Sequence, residues 1–395
     1  MMPEPGLQRA ALALMTLAVV GWYVSAKALD EAIQGRRHTP GRRALAWWVP
    51  TALLVLISLL VNHPEIATGV IFASSVACLT LVLGIVTIAA QAHAEHSDSP
   101  AQRRTWAFVL PAALVSLLAG FSGELRWTHA CILAIQGLAI LSLWNAPTRS
   151  PSVASAGGPS AGTTAYRAGS VGQRMTQLAL AVVLAVVAGW GGVIAARDLS
   201  AQLGLSSAAL PAALILAPAL VLPMIGAGSI AAHEGHHQQV VSSQVGFVLL
   251  NLCGLLPLST TLWQTRGYWQ RPARTVVSMV EPKFEPSFFQ TSARDATTDA
   301  GEDQGVQPAG TPQPATAPTT STQITTAEFA ASESSGLPYP MGVWRVDTVL
   351  LIAVGLLLLP VALGRWSLSQ LEGYGLLAAY VTYMILTTWM THRYG

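Results

Sequence analysis

Apolar residues in this chain run in long blocks separated by short polar stretches. The blocks lie near 9–30, 44–61, 66–91, 105–122, 127–146, 175–197, 207–231, 239–264, 345–364 and 370–391. A helix rises about 1.5 Å per residue, so roughly twenty apolar residues cross a hydrocarbon core of about 30 Å. The pattern predicts an all-α polytopic membrane protein with about ten transmembrane helices. The first block is too long for a signal-peptide core, lacks a small-residue cleavage site and runs into Lys27 and Asp30. It reads as the first span.

Two polar segments interrupt the rhythm and set the domain boundaries. Residues 147–173 are rich in Ser, Gly and Ala, the composition of a flexible linker. Residues 267–343 contain "GVQPAGTPQPATAPTTSTQITTAEFAASESSG", which cannot bury enough apolar surface to offset its ordering entropy, so disorder is expected there. The predicted organisation is 9–146, five helices; 147–173, a cytoplasmic linker; 174–266, three helices; 267–343, a long outer loop; and 344–392, two helices.

Composition strengthens the membrane reading. Hydrophobic residues make up 52% of the 395 and charged residues 10%, against about 25% charged in soluble domains. The net charge of +2 says little about partners, and nothing resembles a basic nucleic-acid patch, so no nucleic acid is expected. Cys78, Cys131 and Cys253 all fall in apolar runs and read as small buried hydrophobes rather than a disulfide framework. Arg36, Arg37, Arg42 and Arg43 follow the first span, Arg103 and Arg104 the third, and Arg149 and Arg167 lie in the central linker. Basic loops stay cytoplasmic. Both termini and the 267–343 loop are therefore expected outside, in the plasma (inner) membrane of a bacterium.

The two sides of the central linker correspond. "SAKAL" at 25–29 pairs with "AARDL" at 195–199, and "VPTALLVLIS" from Val49 pairs with "LPMIGAGSIA" from Leu222. Five spans is an odd number, so two homologous halves must insert with opposite topology. The expectation is two inverted five-helix repeats, an arrangement that places transporter sites near mid-membrane between the halves.

These residues resemble the sodium/calcium exchanger and cation/proton antiporter superfamily. Its alpha repeats have the form G-T-S-L-P-E, followed by P-E-L-A-x-G-N-x-x-G-S-N-I-F-N. Here "HPEIATGVIFASSVACLTLVLG" at 63–84 and "HHQQVVSSQVGFVLLNLCGLLPL" at 236–258 follow the second part, and Pro50 and Pro223 stand at the helix-breaking prolines. Pro50 to Ser74 and Pro223 to Phe247 are both 24 residues. "LEGYGLLAAYVTYMIL" looks like the family's last helix. The resemblance implies an ion path along Thr51, Ser74, Ser75, Cys78, Met224 and Asn251. The family's two ion-binding glutamates fall on Thr51 and Met224, so both are missing. Ser74 and Asn251 alone keep a suitable ligand oxygen. A carboxylate near a cation contributes about 4 kcal/mol even at an effective dielectric of about 20, which Thr51 and Asn251 cannot replace.

The implied function is secondary transport of an inorganic cation (calcium, sodium or proton) with an altered or lost ligand set. No cofactor is required, the partners are membrane lipid and the cation, and oligomeric state is left open. The alternative is a non-transporting scaffold or receptor of the same fold. A third reading comes from His233, Glu234 and His237, which spell H-E-x-x-H. On one helix the two histidines would share a face and hold zinc, with Glu234 activating a water. A zinc intramembrane protease also needs a third ligand from an N-P-D-G or L-D-G segment, and the chain has neither. The spacing puts 233–237 at the end of the seventh span and its loop, where polar groups reach water. Zinc is thus not expected, and neither is an enzyme. His93 and His96 lie in another polar loop. Glu124 and Arg126 read as an exposed loop pair, Trp47 and Trp48 as interfacial packing, and Gly226 and Gly228 as points of close helix approach.

Overall fold

Long apolar runs without interior breakers form helices wherever backbone groups must bond within their own segment. The computed structural model describes residues 5–34, 40–90, 106–121, 123–145, 171–203, 205, 208–234, 237–266, 336–338, 341–363, 365–366 and 368–394. Helix α1 spans Pro5–Gln34 and α2 Pro40–Leu60. Helix α3 comprises Pro64–Ala77, a π-helical turn at Cys78–Val82, and Leu83–Ala89. Then come α4 (Val109–Phe121), α5 (Trp127–Asn145) and α6 (Val171–Gln202). Helix α7 begins with Ala209–Pro211 and a second π turn, Ala212–Leu216, and continues as Ala217–His233. Helix α8 is His237–Leu250, a third π turn at Asn251–Leu255, and a helix on to 266. Helices α9 (Met341–Ala362) and α10 (Gln370–Tyr394) complete the described set.

The protein is an integral membrane protein. Among the described residues, six stretches are long and apolar enough to cross a bilayer: Leu12–Leu29, Arg43–Leu60, Pro64–Ala89, Met175–Gln202, Ala209–His233 and Gln239–Arg266. Val109–Phe121, Trp127–Ser142 and Val346–Ala362 are shorter apolar helices. Leu17, Leu118, Ile135, Leu138, Val187 and Leu371 are exposed on outer faces, the surface a lipid solvent covers. Residues 147–170 of the central linker and most of 267–343 lie outside the described residues, as do Arg36, Arg37, Arg103, Arg104, Arg149, Arg167, His93 and His96, while 171–173 belong to α6. The chain divides into two units, Met1–Gln264 with Gly336–Gly395, and Thr265–Ser335. The fold described is that of the first.

Burial identifies the middle of the bundle. Pro64–Ala89 is 89% buried, whereas Leu12–Leu29 and Met175–Gln202 are each 39% buried. Every pair among α2, α3, α7 and α8 is in contact. Helices α1 and α6 pack on one another and cover α2. Helix α9 packs on α4, and α10 packs on α3 and α9. Helix α5 lies against the π turn of α8, and close approach there requires glycine. A Cβ on Gly137 would sit 2.6 Å from the Cys253 carbonyl oxygen. Of the two glycines read as close-approach points, Gly228 is one, since its Cβ would meet Val86 Cγ2 at 2.7 Å. Gly226 is not, because nothing lies within 4 Å of its Cβ position.

The turn between α2 and α3 is made by local chemistry. Asn62 has φ 67°, the left-handed conformation that asparagine tolerates best after glycine. The His63 N–H bonds the Ser58 carbonyl at 2.8 Å and the Asn62 N–H bonds that of Leu59 at 3.1 Å. This pair of bonds satisfies carbonyls that a helix end otherwise leaves open. Pro64 then starts α3, where a missing N–H costs nothing. At the same end of the bundle a two-stranded pairing joins β1 (Glu124–Leu125) to β2 (Leu337–Pro338), antiparallel. The Gly336 N–H donates to Glu124 Oε2 at 3.2 Å. Glu124, expected in an exposed loop, thus holds the segment that leads into α9.

Candidate functional site

Pro50 and Pro223 lie inside α2 and α7. A proline has no N–H for the carbonyl four residues earlier, which frees those of Ala46 and Ala219 from the helical ladder. Beside them, α3 and α8 each widen into a π turn that starts at Cys78 and at Asn251 respectively. Such turns shift backbone bonds from i−4 to i−5 and often occur at functional sites. Unconventional backbone thus occurs on each of the four helices α2, α3, α7 and α8, which all contact one another.

The residues singled out by the resemblance are all inside the protein. Thr51, Ser74, Ser75, Cys78, Met224 and Asn251 are each 0% exposed. The structure links them into two small groups. Asn251 Nδ2 donates to Ser74 Oγ at 3.0 Å and to Ser75 Oγ at 3.3 Å. Both serine hydroxyls donate in turn to the Ile71 carbonyl, at 3.3 and 2.7 Å. The amide nitrogen of one helix is thus clamped by a hydroxyl pair on another, and Asn251 Oδ1 is left without a partner. In the second group Cys78 Sγ lies 3.8 Å from Met224 Sδ and 3.7 Å from the Gln244 backbone carbonyl oxygen. Thr51 follows Pro50, and its hydroxyl has no hydrogen-bond partner.

Gln244 was not legible as a site residue. It is 0% exposed and neither end of its amide is bonded. Its Nε2 lies 3.7 Å from the position of a Gly228 Cβ, so the side chain reaches toward α7. A glutamine within the apolar run "VVSSQVGFVLL" is the signal that marks it. The centre thus offers neutral oxygens, a thiol and a thioether, and none of the residues in it is a carboxylate. Unpartnered buried hydroxyls and amides each cost about 1–3 kcal/mol. Thr51→Val keeps the shape and removes one such group. We expect it to be neutral or to stabilise by about 1 kcal/mol in thermal unfolding, and a larger loss would mean that the hydroxyl has a partner.

The histidine motif is split between two helices. His233 is the last residue of α7, Glu234 is an exposed turn residue with φ −79° and ψ 3°, and His237 opens α8. Gly235 and His236 lie outside the described residues. Among the described residues no group of three or more His, Cys, Asp or Glu could hold a metal ion. Trp47 is buried, with the Arg43 guanidinium 5.8 Å over its ring. An apolar groove of about 440 Å³ runs between α5 and α8, lined by Trp127, Cys131, Gly137, Cys253 and Pro257 among others. It lies on the other side of the α8 π turn and shares no residue with the polar centre.

Three solved structures share this fold. The H+/Ca2+ exchanger CAX superposes with a TM-score of 0.59 at 11% identity, covering 97% of this chain and 85% of that one. YfkE superposes at 0.54 and 14% identity, covering 95% and 90%. The sodium-calcium exchanger NCX_Mj superposes at 0.50 and 14% identity, covering 98% and 99%. No family model matches the sequence, and comparison with curated proteins gives no significant match.

Proposed function

We propose that this chain is a secondary transporter of the cation-exchanger type, built as two inverted five-helix repeats, in which a neutral hydroxyl and amide set has replaced the carboxylate ligands. The observation that carries this reading is the Asn251 clamp on Ser74 and Ser75, in a region framed by matched irregularities. Pro64–Ala77 and Cys78–Val82 in α3 have counterparts of equal length, His237–Leu250 and Asn251–Leu255, in α8. Pro50 and Pro223, and the helix ends Leu60 and His233, stand in the same register. Equal spacing of a proline, a helix end and a π turn in two places is the mark of a duplicated unit. Pairing of α3 with α8 across the centre is what two such units of opposite orientation produce. The shared fold with CAX, an H+/Ca2+ exchanger, and NCX_Mj, a sodium-calcium exchanger, supports the transport reading.

With no acid at the centre, a strongly bound divalent ion lacks the charge that repays its dehydration. The reading therefore favours a weakly held cargo or a monovalent cation, moved in the inner membrane of a bacterium with both termini outside. The second reading is a scaffold of the same fold. It is favoured by the 0% exposure of all six site residues, which leaves the centre sealed.

Flux in proteoliposomes separates them. Gradients of calcium, sodium, potassium, manganese and protons are imposed on the wild type and on Asn251→Ala. Transport of at least one ion, lowered at least about tenfold in the variant, a barrier change of about 1.4 kcal/mol, is the expected result. No flux for any of them assigns the scaffold. Cleavage of a membrane substrate that is lost in Glu234→Gln would overturn both, although a motif divided between α7 and α8 argues against it.

A further inference from the structure

A second polar cluster lies in α9 and α10, apart from the helices that form the centre. Asp347 is 0% exposed and falls within the apolar stretch Val346–Ala362. The Tyr383 hydroxyl reaches its carboxyl, but neither carboxyl oxygen makes a well-formed hydrogen bond. Tyr383 of α10 lies alongside it, 2% exposed, and Thr387, one turn on and 0% exposed, lies against Tyr383. The Tyr380 ring backs Tyr383, with centroids 6.1 Å apart.

A charged carboxylate with no counter-charge is strongly disfavoured in such surroundings. Natural structures leave very few buried polar groups unpaired, and each exception calls for an explanation. An ionisable residue within a span is also, by default, a functional one. Two ligands would relieve the charge. A metal cation needs several converging oxygens and, if divalent, a second acid. Here two hydroxyls accompany one carboxyl, so the arrangement suits a proton.

We propose that Asp347 is a proton-binding site, in which the carboxyl is neutral while α9 and α10 are packed around Tyr383 and exchanges its proton with water when they part. Binding forms one O–H bond on the carboxyl, and release returns H+ to water. Among the described side chains the surroundings contain no competing charge. Helix α4 has no ionisable side chain along Val109–Phe121. On α3, Glu65 is paired with His63 at 3.0 Å and Cys78 is engaged with Met224. On α10 the facing titratable groups are Tyr383 and, behind it, Tyr380.

The test is infrared difference spectroscopy of the full purified chain across about pH 4 to 10, wide enough to span ordinary carboxyl and phenol titrations. We expect the C=O band of a protonated carboxyl to change with pH in the wild type and to be missing in Asp347→Asn. Tyr383→Phe is expected to move the midpoint at least tenfold in proton concentration. A band that persists in Asp347→Asn, or one whose midpoint Tyr383→Phe leaves in place, overturns the proposal. So does a band that responds to sodium or calcium at fixed pH and not to pH itself. If Asp347→Asn does not fold, the wild-type titration and the Tyr383→Phe shift decide. The readout is the protein's own carboxyl, so absence of cation flux overturns the transport reading alone, and a silent carboxyl in a transporting protein overturns this one alone.

Discussion

Replacing Asn251 by aspartate is expected to make the thermal stability of this protein depend on divalent cations. The two side chains have the same shape, so packing is preserved. Asn251 Nδ2, however, donates to Ser74 and Ser75 at 3.0 and 3.3 Å, and aspartate has no donor there. Its Oδ1 counterpart would remain unpartnered, as it is now. An ionised carboxylate at a position 0% exposed and without a counter-charge costs several kcal/mol. A cation that enters the centre would repay part of this, about 2.7 kcal/mol at a hundredfold excess over its Kd. Melting with and without millimolar calcium measures the effect. The variant is expected to melt well below the wild type in chelator and to recover in calcium, while the wild type responds little. Equal melting of the variant in both conditions would mean that cations do not reach Asn251.

The second large effect is expected at a contact that carries no chemistry. Gly137→Leu should destabilise the protein by about 3 kcal/mol or prevent its accumulation. A Cβ there would meet the Cys253 carbonyl oxygen at 2.6 Å, and that oxygen belongs to the π turn of α8, which cannot move away as a flexible side chain would. Helix α5 would have to back off along its length. Gly254→Ala, in the same π turn, is the control. Nothing lies within 4 Å of its Cβ position, so it should be neutral or slightly stabilising, as helical Gly to Ala changes are. Thermal unfolding of the two variants side by side checks both. Similar melting of Gly137→Leu and wild type would show that α5 does not pack as described.

Much of the architecture was legible because its causes are local. A run of apolar residues forms a helix in lipid whatever surrounds it, so the apolar helices among the described residues could be placed from hydropathy. The prolines at 50 and 223 were visible for the same reason. The site was legible only in part. Ser74 and Asn251 were singled out by likeness to a motif, but their direct hydrogen bond depends on the register of α3 against α8. Gln244 and Asp347 gave only a weak signal, a polar residue in an apolar run. What sets them apart is burial without a partner, which depends on several helices at once. The histidine motif shows the converse: its spacing suggests one helix face, and the end of α7 at His233 separates its two halves.

The amino-acid sequence by itself determined that this is a helical membrane protein, where its apolar segments lie, and that Thr51 and Met224 follow the prolines at 50 and 223. Those are properties of composition and of single positions. Only the tertiary structure decided that the π turns of α3 and α8 border one polar centre, that Glu124 holds the strand before α9, and that Asp347 is shut in with Tyr383. Each of these depends on segments distant in the chain being brought within hydrogen-bonding or packing distance, and distance between segments is not written in the order of residues.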